Sequence, residues 1–308
     1  MSNSPAERQR PPVGSLYLDH VSHFVDDVEA AASMLERLGF AVTPLSTQIN
    51  RDGNDRAVPA GAENRNVMLE QGYLEFLNPT LDTEVSRRMR EQMARYRGVH
   101  LLAFGSPAAQ EEHERLARHG FEPLPFVRLE REVEVEGGGM QRARFGVVRV
   151  PPEKMSEGRV QFVEHLTPES LWQPRYVAHP NGATALAAAF VVADDPAEVA
   201  ARYARFAGLM PAPAGKFVRL ATARGALLVG RREDWQMLLG DVPAAPALAG
   251  YALGCRDPIG LAAICAGESL EVRRDSRSEA DLAVVRLPKV LGGAWLLGSE
   301  PGLARWPS

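Results

Sequence analysis

The sequence predicts an α+β fold built from four βαβββ modules that pair into two domains. Three observations predict it. A strand, an amphipathic helix and three short strands follow one another after residue 15. The same order returns about 80 positions later, and two weaker copies follow a proline-containing linker. A recurring unit that cannot bury its own apolar face is expected to stack against its copies.

In the first copy, LYLDHVSHFVDD (16–27) alternates apolar and polar residues as a half-buried strand does. VEAAASMLERLGF (28–40) then places Val28, Ala31, Leu35 and Leu38 at helical spacing, with Asp26 or Asp27 as N-cap and Gly39 as stop. AVTPLSTQ, NVMLEQ and GYLEFL are apolar segments bounded by turn residues, hence three strands. The second copy reads GVHLLAFG (98–105), then the helix PAAQEEHERLARHGF (107–121), then PFVRLEREVEVEG, RARFGVVRV and GRVQFVEHL. Gly39 and Gly120 are 81 positions apart, and His20 and His100 are 80 apart. The closing strands match in residue type, Tyr-Leu-Glu-Phe-Leu (73–77) against Phe-Val-Glu-His-Leu (162–166), with their glutamates 89 positions apart. After the linker TPESLWQPRYVAHPNGA (167–183), a third copy begins at TALAAAFVVADD (184–195) and PAEVAARYARFAGL (196–209). A fourth runs from LAGYALGCRDP to GAWLLGSE. The expected organisation is a disordered leader over 1–15, a first domain over 16–175 (modules 16–80 and 96–170), and a second over 176–308.

The chain has 308 residues, 45% hydrophobic and 24% charged, which supports a substantial core. A formal charge of −4 gives no electrostatic reason to expect nucleic acid or an anionic membrane. No apolar run approaches the roughly 18 residues of a membrane span, and the polar N-terminus lacks the apolar centre of a secretory signal. Cys255 and Cys265, both late in the chain, read as reduced buried thiols, and the expected location is the cytoplasm.

Each of the first two modules has a histidine in its opening strand, His20 or His100, and a glutamate in its closing strand, Glu75 or Glu164. A lone strand histidine is more often a satisfied core or surface residue than a ligand. A lone strand glutamate can face solvent. Repetition in both modules favours the functional reading. A carboxylate between aliphatic neighbours is costly unless paired or bound to a cation. Two imidazoles and two carboxylates suit one first-row divalent metal.

LDHVSHFVDDVEAA, NRNVMLEQGYLEFL, GVHLLAFG and VQFVEHLTPESLWQPRYVAHPNGA resemble the vicinal oxygen chelate superfamily. More narrowly they are similar to its glyoxalase-like bacterial branch, well over 16–210 and weakly beyond. The resemblance implies paired modules closing into curved mixed-sheet cups with flanking helices. It also implies one divalent metal (Zn, Ni, Co, Mn or Fe) held by His20, Glu75, His100 and Glu164. In that branch a His-x-Thr-Pro-Glu pattern is usual, here His165 to Glu169, so His165 is the alternative fourth ligand. Strand parity favours Glu164 if Phe162 points inward, and a bulge would bring His165 round instead. Ala-Glu-Asn-Arg-Asn (62–66) also resembles this branch and makes Asn64 and Arg65 the candidate substrate-binding pair. Arg51 and Arg56 in the preceding polar loop are further candidate clamps for an anionic group, although a solvated loop is the plainer reading. His23 falls on the opposite strand face and Trp172 in the linker, both structural. In the second pair of modules the His20 position maps to Ala188 and Tyr251, so no metal is expected there.

A metal with two open sites would polarise adjacent substrate oxygens and stabilise an enediolate. Glu164, or His165, would then act as the base. The expected function is glyoxalase-like lyase or isomerase chemistry on a small molecule with vicinal oxygens, with a homodimer left open. The alternatives are an Fe(II) extradiol-type dioxygenase, or a non-catalytic small-molecule-binding or resistance protein.

Overall fold

The computed structural model describes residues 4–51, 56–274 and 281–307, less the side chains of residues 48, 50, 51 and 57. The candidate clamp Arg51 therefore lies outside the described side chains, and Arg56 is exposed. The first half runs β1 (Tyr17–Phe24), α1 (Val28–Arg37), β2 (Ser46–Arg51), β3 (Ala57–Met68) and β4 (Tyr73–Pro79). A helix not expected from the sequence, α2 (Glu84–Arg95), leads into β5 (Gly98–Gly105), α3 (Ala109–Arg118), β6 (Val127–Glu134), β7 (Met140–Arg149) and β8 (Arg159–His165). These eight strands close into a barrel in the order β1-β4-β3-β2-β6-β7-β8-β5. β1 and β5 pair antiparallel, so the two modules face each other about an approximate twofold.

The pleat sorts each strand between two environments. Leu18, Val21, Leu74, Phe76, Leu102, Phe104, Val160 and Phe162 face outward into the main core. Tyr73, Leu101, Ala103, Phe145, Val147 and Val163 face the barrel interior. The helices are placed by their caps. Asp27 accepts from the backbone N–H groups of Glu29 and Ala30, both at 3.0 Å, which satisfies donors that helix α1 cannot.

The second half runs α4 (Pro174–Val177), β9 (Ala183–Val192), α5 (Pro196–Ala207), β10 (Pro211–Ala214), β11 (Phe217–Ala221) and β12 (Ala226–Gly230). It continues with α6 (Arg232–Leu239), β13 (Ala247–Cys255), α7 (Pro258–Gly267), β14 (Val272–Arg274), β15 (Ala283–Arg286), β16 (Ala294–Gly298) and α8 (Glu300–Arg305). Its eight strands form an open sheet, β10-β11-β12-β9-β13-β16-β15-β14. One face carries Phe190, Trp235 and Phe217, with ring centroids 4.6 and 4.2 Å from Trp235, and Ala188 belongs to this apolar filling. Tyr251 lies on the other face, 3.2 Å from His23 Nε2, within the core that joins sheet to barrel. Phe190, Phe217, Trp235 and Ala188 thus belong to one apolar cluster of the second half.

Residues 4–15, expected as a disordered leader, lie against the barrel. The fully buried Gln9 donates to the carbonyl of Glu70 at 2.8 Å and accepts from the N–H of Gly72. Those backbone groups are otherwise unpaired turn atoms, which is why a polar leader is held. Cys255 and Cys265 are both free and buried. Among the described residues no helix is long and apolar enough to cross a membrane.

Candidate functional site

A cavity of roughly 60 Å³ occupies the barrel, lined by His20, Asn64, Tyr73, Glu75, Arg131 and Gln161 among others. At its inner end stands His20 on β1, 3% exposed, stacked on Tyr73 with ring centroids 4.3 Å apart. Its Nδ1 lies 2.7 Å from the Asp19 carboxylate. Adjacent residues of a regular strand point to opposite faces, so this contact needs an irregularity. The pairing of β1 with β5 supplies it, stepping from Leu18↔Phe104 to His20↔Ala103 and leaving Asp19 as the extra residue of a bulge.

Asp19 is fully buried and also lies 3.0 Å from Nε2 of His165 at the end of β8. Burial pushes the Asp19 carboxyl up, but the charge of His165 and hydrogen bonds from both imidazoles outweigh it and hold the group well below the usual carboxylate range. As a carboxylate it only accepts, so Nδ1 of His20 and Nε2 of His165 carry the protons. The lone pair of a neutral His20 is then on Nε2, 4.0 Å from Glu75. His165 packs edge-on against Trp172 at 4.8 Å, and its Nδ1 is buried without a partner. Trp172, from the linker, donates to the carbonyl of Leu69. Gly105 faces this carboxylate, where a Cβ would approach Asp19 Oδ2 to 3.0 Å.

Glu75 on β4 accepts from Ser22 Oγ and from Asn64 Nδ2, both at 2.6 Å. Asn64 accepts in turn from Arg131 Nη1 at 2.9 Å. Asn64 thus sits in the cavity, and its neighbour Arg65 does not. Arg65 faces outward and pairs with Glu29 and Glu36 of α1 at 3.3 and 3.7 Å.

The barrel does not bring His100 and Glu164 to His20 and Glu75. β1 and β5 superpose with an offset of 81, as do α1 and α3, so the counterpart of His20 is Leu101. His100 instead corresponds to Asp19 and is likewise the extra residue of a bulge, between Ser22↔Leu101 and His23↔Val99. Its ring turns toward α2, with Nδ1 and Nε2 2.9 and 3.0 Å from the carbonyls of Gly98 and Gln92. Burial first, then nearby cationic groups, push its pKa down to about 3.

Glu164 is on the outer face of β8 because Phe162 is outside too, stacked on Phe206. The parity premise was therefore inverted, and His165 is the inward residue. The Glu164 carboxylate accepts from the Ala109 N–H at 3.0 Å. It serves as a cap for α3, whose own N-cap position is Ala108.

These positions test the divalent metal that the resemblance implies. Glu75 pairs in register with Ser22, and the equivalent of Ser22 is Ala103, which pairs with Gln161. The four symmetry-related inward positions are therefore His20, Glu75, Leu101 and Gln161, all of which line the cavity. A leucine and a carboxamide do not complete a two-His, two-Glu set. Both Glu75 oxygens are also engaged by neutral donors. Among the described residues no three His, Cys, Asp or Glu converge as ligands. The expected four-ligand set does not fit this cup.

What the cup does contain is positive charge that the sequence reading passed over. Arg131, Arg149 and Arg159 line it together with Glu75 and Glu130. Burial and then the neighbouring charge of Arg149 push the Arg159 guanidinium down to about 9. Burial lowers Arg149 as well.

Paired βαβββ modules closed around a polar-ended cup define a vicinal oxygen chelate fold. The model of the glyoxalase-like domain family matches residues 18–207, and the chain belongs to that family. Among solved structures, a hypothetical protein from Staphylococcus aureus has a TM-score of 0.54 at 9% identity, covering 92% of this chain and 98% of that one. A triple mutant of 4-hydroxymandelate synthase from Streptomyces coelicolor gives 0.51 at 14% identity, covering 92% and 93%. The 2,2',3-trihydroxybiphenyl 1,2-dioxygenase of a dibenzofuran-degrading Sphingomonas wittichii strain gives 0.51 at 10%, covering 93% and 91%. At such identities the likeness is one of fold. A search of curated protein sequences finds no match.

Proposed function

We propose that this glyoxalase-like protein is a proton-transfer enzyme of lyase or isomerase type, acting on a small molecule with adjacent oxygens, in which His20 is the base. The observation that carries the reading is the 2.7 Å contact of His20 with the buried Asp19 carboxylate. It fixes the tautomer, leaves Nε2 as the acceptor, and stabilises the imidazolium that forms on proton uptake. Glu75, 4.0 Å from Nε2, adds a second negative charge beside that imidazolium. His20 Nε2 would take a proton from the carbon next to a substrate carbonyl. The electron pair left behind becomes an enediolate, whose negative charge the cup arginines oppose. The same imidazolium returns the proton to the neighbouring carbon while the hydroxyl proton passes to the former carbonyl oxygen, so nothing is consumed. The metal-assisted version of this chemistry would need ligands where Leu101 and Gln161 stand, and no step is assigned to a metal.

Deuterium uptake from D₂O into small α-hydroxycarbonyl compounds, followed by proton NMR, tests the proposal. The intact protein is expected to catalyse exchange and His20→Ala to lose it. Equal exchange by His20→Ala would overturn the assignment. Ligand binding with no exchange by either protein would favour the binding-protein alternative.

A further inference from the structure

We infer that the cup receives an oxyanion, a carboxylate or a phosphate group of its ligand, between Arg149 on β7 and Arg159 on β8. This rests on the proposed function only for the choice of cavity. Arg149 is in register with Gln161, and Arg159 precedes Gln161 by two residues on the same face. Such diagonal neighbours lie about 7–8 Å apart between adjacent strands, a span one planar or tetrahedral oxyanion can bridge.

Neither guanidinium has a salt bridge or hydrogen bond among the described residues; Arg159 lies over the Phe24 ring, 5.6 Å from its centroid. Arg149 Nε is buried without a partner, and so is Oε1 of Gln161, itself 7% exposed. By contrast, the guanidinium of Arg202 meets the buried Glu157 carboxylate at 2.6 and 3.0 Å. Two half-buried like charges side by side oppose folding unless something neutralises them. Of the carboxylates that line the cup, Glu75 opposes both guanidinium charges through space but makes its hydrogen bonds to Ser22 and Asn64, and Glu130 pairs with Arg142 at 3.3 Å, so one carboxylate faces two cations. A bound anion would satisfy the guanidiniums, and the Gln161 amide can turn its N–H₂ end toward it.

Arg149 and Arg159 line the inner cavity and also a groove beneath α2 bordered by Glu84, Arg88 and Gln92. Arg88 at that groove is already paired with Glu84.

Titration calorimetry of the full chain with oxalate and, separately, inorganic phosphate tests this, with chloride at matched ionic strength as control. Stoichiometric binding of either oxyanion is expected, weakened about tenfold or more in Arg149→Met and in Arg159→Met. Oxalate binding alone identifies a carboxylate site, and phosphate binding alone a phosphate site. Arg149→Lys keeps the charge and is expected to fold while losing the paired geometry, so it shows an intermediate loss even if the Met variants unfold. Unchanged affinity in Arg149→Lys and in every folded Met variant, or equal heat from chloride, would overturn the inference. Oxyanion binding by the intact protein without any deuterium exchange by it would mark failure of the proposed proton transfer, whereas exchange without oxyanion binding would mark failure of this site.

Discussion

Nδ1 of His20 and the carboxylate of Asp19 lie 2.7 Å apart although the two residues are adjacent on one strand, because the bulge in β1 turns Asp19 beside the inward imidazole. The same carboxylate reaches His165, so a single buried anion orders two rings. Asp19→Asn retains the volume and removes the charge, and an amide can place its N–H₂ end against one ring, with the tautomer of His20 no longer fixed. Deuterium exchange is expected to fall by about 10²–10⁴ in kcat with little change in KM. Stability is expected to drop by about 1–3 kcal/mol. A loss confined to KM would mean that Asp19 shapes binding and does not position the base.

Glu164→Gln and His100→Gln probe the residues that the barrel turns away from the cavity. Glu164 supports the start of α3, so its neutralisation is expected to cost about 0.5–1 kcal/mol of helix-end stabilisation in urea unfolding. His100 sits between two carbonyls under α2, and its loss is expected to cost about 1–3 kcal/mol. Exchange activity should stay within about twofold of the parent for both variants. A hundredfold loss in either would return that residue to the site.

Acid should destabilise the protein well above the carboxylate range. His23, His100 and His179 are buried, and burial lowers them to about 4, 3 and 4. The unfolded chain titrates these groups near 6.5 and so binds more protons than the native state below that pH. Their stabilisation is therefore complete above about 6.5 and is lost as pH falls toward 4. With three extra protons on the unfolded chain, the slope approaches about 4 kcal/mol per pH unit. Asp19, a depressed carboxyl, has the same sign in a lower window, below the ordinary carboxyl pKa. Urea midpoints measured from pH 7.5 to 5.0 check this, and a flat profile would contradict the burial of these rings.

Much of the barrel was legible because alternation and helix caps are local signals. Asp27, Gly39 and the closing strand 73–77 mark the first module without reference to anything distant. The site was less legible because its geometry turns on one residue of register. The glycine stops repeat at 81 and the histidines at 80, and on a strand that difference moves a side chain from one face to the other. The bulges at Asp19 and His100 break the alternation that would have exposed the mismatch. Glu164 was plausible for its type, yet the outward Phe162 assigns it to a helix end. Arg149 and Arg159 come together through the register of β7 on β8, which sets Arg149 opposite Gln161, a pairing that the sequence pattern leaves open.

The same register argument predicts how to make the metal site that the residue types suggested. Leu101 and Gln161 occupy the positions related to His20 and Glu75 by the approximate twofold. The parent chain is expected to hold well under one equivalent of Zn, Ni, Co, Mn or Fe after exposure to the ion and desalting. Leu101→His with Gln161→Glu would place two imidazoles and two carboxylates on facing inward positions, the donor set a divalent ion accepts. Stoichiometric Co(II) binding with visible d–d absorption is the expected outcome for the double variant, together with a thermal midpoint that rises with metal concentration. Moving the histidine to Val99 in place of Leu101 should give no such spectrum, since Val99 belongs to the outer core. Stoichiometric metal in the parent chain, lost on Glu75→Gln, would instead mean that the cup rearranges around an ion, and the assignment of His20 as a free base would fall with it.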